Sequence, residues 1–133
     1  MTIVRHQPRK KLRRGDTFVE RFYNVGDMTG WTELWFTTKL DHDDADAEAQ
    51  IQIQQTVGLL YIAGAAATVV GNGSITVQNV TRGDITIGLA AVESAKLTAG
   101  KHYYDIQITN PSGVVTLVGG ELIVAPDVPR ITS

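Results

Sequence analysis

The chain has 133 residues, of which 43% are hydrophobic and 20% are charged, a composition that fits one globular domain with a single modest core. Its 12 lysine and arginine residues against 14 aspartate and glutamate residues give a net charge of −2, so the chain has no general electrostatic preference for nucleic acid or an anionic membrane. The absence of cysteine excludes disulfides, cysteine-ligated zinc, iron–sulfur clusters and thiol nucleophiles.

The first 14 residues carry six of the 12 positive charges, and we interpret them as an extended basic N-terminal arm that precedes a single domain over residues 15–133. Pro8 and the charge density disfavour a packed element, so we expect the arm to add no periodic apolar face to the core. The arm residues expected to bind a partner are Arg5, Arg9, Lys10, Lys11, Arg13 and Arg14.

Neither a secretion signal nor a membrane span is expected. The N-terminal charges are not followed by an apolar segment with a small-residue cleavage site. The longest apolar stretch, residues 57–70, is shorter than the roughly 18 residues that a membrane helix requires. We therefore expect synthesis in the cytoplasm and no membrane partner.

From residue 17 onward, short runs of β-branched and aromatic residues are separated by turn-forming residues, a pattern typical of strands. Residues 17–23 place Phe18 and Phe22 on one face with Glu20 between them, and residues 24–27 supply a turn. This segment is the first predicted core strand.

Residues 31–40 predict a second strand with two distinct faces. The predicted inner face consists of Thr32, Leu34, Phe36, Thr38 and Leu40, and the predicted outer face of Trp31, Glu33, Trp35, Thr37 and Lys39. Residues 51–54 alternate isoleucine with glutamine in the same way and predict a third strand.

The middle of the chain predicts more strands and one helical turn. Residues 59–62 and 66–70 are expected to pair around a turn at residues 63–65, and strands are expected at residues 74–80 and 83–89. Residues 90–97 lose the two-residue period and contain alanine, glutamate and lysine before Gly100, which favours a short helical turn.

The last part of the chain predicts a strand over residues 103–109, with Tyr104, Ile106 and Ile108 on its apolar face. Residues 110–113 have the composition of a turn, and residues 114–118 and 121–124 are expected to complete a terminal hairpin with a kink at Gly119-Gly120. The number and spacing of these strands predict an all-β fold, an antiparallel immunoglobulin-like β-sandwich with one or two short helical turns.

No catalytic constellation is evident. The histidines, His6, His42 and His102, fall in the arm, an acidic loop and the start of a strand, and the sequence contains neither a G-x-S-x-G nor an H-E-x-x-H motif. We therefore expect a protein without enzymatic activity and without a cofactor.

An acidic loop over residues 41–48 invites a calcium interpretation, but its spacing does not match a calcium-binding loop, because the position that requires glycine is occupied by Asp46. A solvated loop at the start of a short helical turn is favoured, and no metal ligand is expected. Its acidic residues are Asp41, Asp43, Asp44, Asp46 and Glu48.

Two Arg-Gly-Asp tripeptides, at residues 14–16 and 82–84, each lie directly before a predicted strand. Glycine permits a positive φ and aspartate bonds locally to the backbone, so we interpret both as turns that enter a strand rather than as adhesion motifs. Residues 71–73 precede a strand rather than a helix, which excludes a phosphate-binding loop.

The arm and the outer aromatic residues are the candidate binding elements. The arm has no aromatic residue among its first 14, so nucleic acid is an unlikely partner, and an arm that lies on a protein neighbour, against that neighbour's acidic loop, accounts for both charge clusters. Trp31, Trp35 and Tyr103 are consistent with a sugar-stacking platform, with a protein interface, or with tryptophans covered by a loop of the same chain.

Three stretches together resemble a family of small tailed-bacteriophage virion proteins. They are Arg14-Gly15-Asp16-Thr17-Phe18, then Trp35-Phe36-Thr37-Thr38-Lys39 followed by Asp44-Ala45-Asp46-Ala47, and Ala99-Gly100-Lys101-His102-Tyr103-Tyr104-Asp105-Ile106-Gln107. Gly119-Gly120 and the segment Val124-Ala125-Pro126-Asp127-Val128 complete a match that covers residues 14–130. Similar domains form the N-terminal part of phage baseplate upper proteins.

The resemblance implies a β-sandwich without enzymatic activity that attaches to other virion proteins in a symmetric homo-oligomer, for which we favour a trimer. It implies a location in the virion, for which we favour the tail or baseplate. Two alternatives remain open: a capsid decoration (cement) protein on the phage head, and a carbohydrate-binding module that uses the outer aromatic residues.

Overall fold

A computed structural model of the chain describes residues 5–6 and 9–126. Within these residues, eleven β-strands form two sheets. The strands are β1 (Arg5–His6), β2 (Lys10–Arg13), β3 (Phe18–Phe22), β4 (Glu33–Lys39), β5 (Ile51–Gln54), β6 (Gly58–Ile62), β7 (Ala65–Ala66), β8 (Gly73–Asn79), β9 (Asp84–Leu89), β10 (Gly100–Asn110) and β11 (Gly113–Ala125). A four-residue α-helix, α1 (Ala91–Ser94), follows β9, and 3-10 turns lie at Asp46–Glu48 and Val70–Asn72.

The larger sheet has the strand order β1-β11-β10-β4-β5-β6-β7 and the smaller sheet the order β3-β9-β8. Neighbouring strands are antiparallel except that β1 and β2 both pair with β11 in parallel. Strand β10 pairs with one edge of β11. Strands β1 and β2 both pair with the other edge, β1 opposite residues 118–119 and β2 opposite residues 122–125. The N-terminal segment therefore covers the edge of the last strand.

The core lies between the two sheets, where the apolar faces of their strands meet. Phe22 of the smaller sheet packs against Phe36 and Tyr104 of the larger sheet, with ring centroids 5.9 and 5.5 Å apart, and the last two rings are 5.8 Å apart. Burial of an aromatic or aliphatic side chain of this size contributes roughly 1.5–3 kcal/mol. The ring cluster thus links β3, β4 and β10 across the sandwich.

The fold class predicted from the sequence is confirmed. The strands predicted at residues 17–23, 31–40, 51–54 and 83–89 are β3, β4, β5 and β9. The helical turn predicted at residues 90–97 is α1. Alternation predicts these elements well because each strand buries one face and leaves the other at the surface.

The prediction of an unpacked arm is wrong for residues 10–13. These residues form β2, which pairs with β11 from Leu122 to Ala125, and Leu12 is only 3% exposed. A lone leucine among charged residues gives no periodic signal, yet backbone pairing to an open strand edge is sufficient to bury it. The expectation that the arm adds nothing to the core is therefore corrected, while residues 1–4 and 7–8 lie outside the described residues.

The terminal hairpin forms as predicted, from β10, a turn at residues 111–112 and β11, but the kink predicted at Gly119-Gly120 is wrong. Strand β11 runs unbroken through Gly119-Gly120, and its antiparallel partner is β10. Gly120 lies opposite Tyr104 in the register, and a Cβ atom on Gly120 would lie 2.7 Å from the Tyr104 hydroxyl oxygen. Glycine is required here by the close approach of a buried ring and not by a turn.

Two smaller differences concern strand ends. Leu40, predicted as an inner residue, is 40% exposed because β4 ends at Lys39. The strand predicted at residues 66–70 extends only to Ala66, and a 3-10 turn follows at Val70–Asn72.

Candidate functional site

A groove of about 580 Å³ lies on the outer face of the larger sheet, across β4, β10 and β11. A volume of this size is in the range of ligand-binding clefts. Its lining residues are Arg9, Thr37, Lys39, His42, Tyr103, Tyr104, Asp105, Gly119, Gly120 and Glu121.

Strand register explains why the groove forms at this place. Asp105 pairs with Thr37 on one side and with Gly119 on the other. Gly119 has no side chain to stand on the outer face beside Asp105. One pair further along, Tyr103 lies between Lys39 and Glu121, whose larger side chains border the depression.

An aromatic wall forms one side of the groove. The rings of His42 and Tyr103 are stacked, with centroids 4.0 Å apart and planes inclined by 31°. Lys101 Nζ lies 5.1 Å from the centroid of the Tyr103 ring, a cation–π distance. The stacking brings the loop after β4 over the outer face of β10.

The cations that line the groove each pair with a carboxylate. Arg9 donates from Nη2 and Nε to Glu121 Oε1, at 2.7 and 3.1 Å, and this hydrogen bonding lowers the pKa of Glu121. Lys39 Nζ lies 3.0 Å from Asp46 Oδ1. Lys101, outside the groove lining, approaches Glu121 Oε2 to 3.4 Å.

Asp105 is the exception among these charged groups. Its Oδ1 atom is buried and has no hydrogen-bond partner. Burial raises the pKa of Asp105, an effect that the positive charge of Lys39 opposes and that Asp46 reinforces. A carboxylate oxygen that is shielded from water and lacks a donor is unfavourable in the fold, which marks the half-buried Asp105 as a functional candidate.

The three outer aromatic residues predicted from the sequence do not form one platform. Trp31 precedes β4, and its side chain packs against the core. Trp35 pairs with Gln107, four residues from Tyr103 along β10, a separation of roughly 13 Å at the usual rise per residue. Trp35 Nε1 instead donates to Thr109 Oγ1 at 3.3 Å, so only Tyr103 reaches the groove.

The predicted arm residues contact their own chain. Arg9 bonds to Glu121, Lys10 Nζ lies 2.9 Å from Glu20 Oε1, and Arg14 Nη2 donates to the Ala95 carbonyl oxygen at 2.9 Å. The side chain of Arg5 lies outside the described residues. Lys11 and Arg13 are exposed.

The acidic loop is held by local contacts. The backbone N–H of Asp43 donates to Asp41 Oδ1 at 3.0 Å, and that of Asp41 donates to Asp44 Oδ2 at 3.2 Å. Asp46 and Glu48 lie in a 3-10 turn. In the part of the chain that the structure describes, no group of three histidine, aspartate or glutamate side chains is placed to hold a metal ion.

Both Arg-Gly-Asp tripeptides are turns, as predicted. Gly15 and Gly83 have φ values of +83° and +80°. Asp84 is fully buried, where it accepts from the Asn24 backbone N–H at 3.1 Å and pairs with Arg82 at 2.6 Å.

Sequence reasoning missed Asp105, Gly119 and Glu121 as members of one site. Alternation places Asp105 on an outer face, but its proximity to Gly119 depends on pairing between β10 and β11, whose register shifts between Ile106 and Gln107. The predicted terminal hairpin did not specify this register, so the proximity of Asp105 to Gly119 was missed.

The arrangement of strands defines the class of protein: an immunoglobulin-like β-sandwich. Among the described residues, no helix has the length and apolar character needed to cross a bilayer. No protein-family model matches the sequence, and no curated protein sequence matches it.

Three solved structures are similar to this chain, and the first of them supports the same fold class. The NK cell receptor Nkp44, described as a triggering partner in natural cytotoxicity, is similar with a TM-score of 0.53 and 10% identity, over 91% of this chain and 100% of that chain. The extracellular portion of mouse CD200RLa is similar with a TM-score of 0.43 and 12% identity, over 93% of this chain and 58% of that chain. A structure from a study of cell-adhesive interactions of VGSC beta subunits has a TM-score of 0.40 and 14% identity, over 96% of each chain.

Proposed function

We propose that this chain is a bacteriophage virion structural protein without enzymatic activity, a docking module that attaches to other virion proteins at the tail or baseplate. The observation that carries the proposal is a convergence. Three of the segments that carry the resemblance to small virion proteins are separate in the sequence but lie on β4, β10 and β11: residues 35–39, 100–107 and 119–120. These strands are neighbours in the larger sheet.

The segments that carry the resemblance contribute residues to the outer face of the larger sheet. Contiguous strand segments place alternate residues on the two faces of a sheet. The outer residues of these segments come together, because Lys39, Tyr103, Asp105 and Gly119 line one groove. A groove on the outer face offers a partner a concave surface with aromatic and charged side chains.

The chemistry of this face suits protein docking. Aromatic side chains are enriched in interfaces between proteins, and charged pairs at their rim favour the correct orientation of the partner. In an assembled particle we expect the chain as a symmetric homo-oligomer, with three copies favoured, because repeated docking on a symmetric particle matches copies to equivalent sites.

Immunogold labelling of intact particles, produced in cells that express the chain, tests the location. Label at the tail end supports the proposal. Label over the head would replace it with the capsid decoration alternative, and particles without label would contradict a virion role.

A pair of variants tests the docking surface. Tyr103→Ala removes the aromatic wall of the groove, whereas Tyr23→Ala removes a tyrosine that is 54% exposed after β3, at the end of the smaller sheet. We expect Tyr103→Ala to lower incorporation into particles at least tenfold and Tyr23→Ala to leave it unchanged, with both variants folded by circular dichroism. Equal incorporation of both variants would contradict docking through the groove.

A further inference from the structure

We propose that the groove receives an arginine side chain of the docking partner, with Asp105 as its acceptor and the stacked rings of His42 and Tyr103 as its wall. This inference rests on the proposed docking function and names the chemistry of its central contact. Three observations support it: the pairing of charges in the groove, the shape of its walls, and the state of the Asp105 carboxyl group.

Pairing of charges favours a cationic occupant. Each cation in the groove lining already has a carboxylate partner, Arg9 with Glu121 and Lys39 with Asp46. Asp105 is the remaining lining carboxylate, and its Oδ1 atom has no hydrogen-bond donor. A ligand cation would pair with the Asp105 carboxylate directly, and hydrogen bonds between charged groups are roughly twice as strong as neutral ones.

The shape of the groove favours a guanidinium over an ammonium group. The wall consists of the His42 and Tyr103 rings, whose centroids lie 4.0 Å apart. Gly119, the residue beside Asp105 on β11, has no side chain to fill the groove. A planar guanidinium stacks on such rings and reaches a carboxylate with its donors in a fixed fork. An ammonium group is a compact, strongly hydrated charge that gains less from a flat wall.

The Asp105 carboxyl group lies where a bound partner can change its ionisation. Burial raises the pKa of Asp105 and so disfavours its ionised form, an effect that Lys39 opposes only in part. A bound cation reverses this disadvantage, since an opposite charge nearby favours ionisation. We therefore expect arginine binding to strengthen as pH rises from about 4 toward neutrality.

The test is a nuclear magnetic resonance titration of the ¹⁵N-labelled full chain with three probes: the N-acetyl amides of arginine, lysine and citrulline. Citrulline has the shape of arginine without its charge. We expect saturable amide shifts at residues 37–39, 103–105 and 119–121 with the arginine probe, weaker shifts with lysine, and none with citrulline. No saturable shift with arginine, or equal shifts with citrulline, would overturn the proposal.

Asp105→Asn and Asp43→Asn provide the matched variants. Both exchange a carboxylate for an amide, but Asp43 lies in the exposed acidic loop and does not line the groove. We expect Asp105→Asn to remove the arginine response and Asp43→Asn to retain it, with both variants folded as judged by dispersed spectra. Retention of arginine binding in Asp105→Asn would overturn the assignment of the acceptor.

The two proposals can fail separately. If labelled particles confirm the docking function and the arginine probe does not bind, only the chemistry of the contact is wrong. If the probe binds and the chain is never found in particles, the groove remains an arginine site on a protein whose partner lies elsewhere.

Discussion

On strand β10, Tyr104 and Ile106 point into the sandwich and are 3% and 0% exposed, whereas Tyr103 and Asp105 point outward and border the groove. The inner residues pack against rings and aliphatic side chains from both sheets. The outer residues depend on a few charge pairs and one ring stack. One face of this strand thus serves stability and the other serves recognition. Substitutions on the inner face should therefore lower the free energy of unfolding much more than substitutions on the outer face.

The largest expected effect is on the inner face. Phe36→Ala removes a ring that is 1% exposed and contacts two other rings, so we expect the free energy of unfolding to fall by about 3–5 kcal/mol. Urea denaturation measures it. Val114→Ala, at a side chain that is 65% exposed, is the control and should change stability by less than about 0.5 kcal/mol.

Leu12→Ala tests whether β2 belongs to the inner face. Because Leu12 is buried against the core, we expect a loss of about 2–5 kcal/mol in the free energy of unfolding. Lys11→Ala, at the exposed neighbouring position, should leave stability within about 0.5 kcal/mol of the original. If Leu12→Ala is as stable as Lys11→Ala, the N-terminal segment is an arm after all.

Gly120→Ala adds a methyl group to the inner face. The new Cβ would lie 2.7 Å from the Tyr104 hydroxyl oxygen, and the ring is packed against Phe22 and Phe36, so it has little freedom to move. We expect a loss of about 1–3 kcal/mol from overpacking. Gly71→Ala is the matched control, since a Cβ at Gly71 meets no atom within 4 Å. Equal stability of the two variants in thermal unfolding would contradict the predicted clash.

The buried His102 side chain on the inner face should make the free energy of unfolding depend on pH. Its ring is fully buried, Nδ1 has no partner, and burial lowers the pKa of His102 below its ordinary value of 6.5. The unfolded chain therefore binds a proton more readily, and stability should fall as pH drops through 6.5, by at most about 1.4 kcal/mol per pH unit. Urea denaturation between pH 7.5 and 5, compared with a His102→Gln variant, tests this slope. A slope unchanged in the variant would assign it to other groups.

The smallest effect on stability is expected on the outer face. Arg9→Ala breaks the pair with Glu121, but exposed ion pairs contribute little. We expect no measurable change in the unfolding temperature at physiological ionic strength. A clear drop would mean that the rim of the groove also holds the fold together, which would weaken the contrast between the two faces.

The same contrast explains what sequence reasoning could and could not reach. Alternation identified Phe18, Phe22, Leu34 and Phe36 as core residues because burial imposes a two-residue period within one strand. The groove has no such period. Its central pair, Asp105 and Gly119, meets only through hairpin register, and Gly119-Gly120 has the composition of a kink when it is considered without β10.

The N-terminal segment misled prediction for a different reason. Six positive charges in 14 residues indicate a solvated tail. The backbone of residues 10–13 nevertheless pairs with the open edge of β11, and this pairing buries Leu12. The edge can be located only when the position of β11 in the sheet is known. Charge density describes side chains, whereas strand pairing is a property of the backbone.

Strand β11 lies between β10 and the pair β1 and β2, so a segment late in the sequence is inserted between two that are synthesised earlier. On the ribosome, β2 has no partner until Gly113–Ala125 has emerged, and the edge of β10 stays open for the same interval. Completion of the larger sheet is therefore a late, long-range event, the kind of contact that slows folding and favours transient pairing between nascent chains.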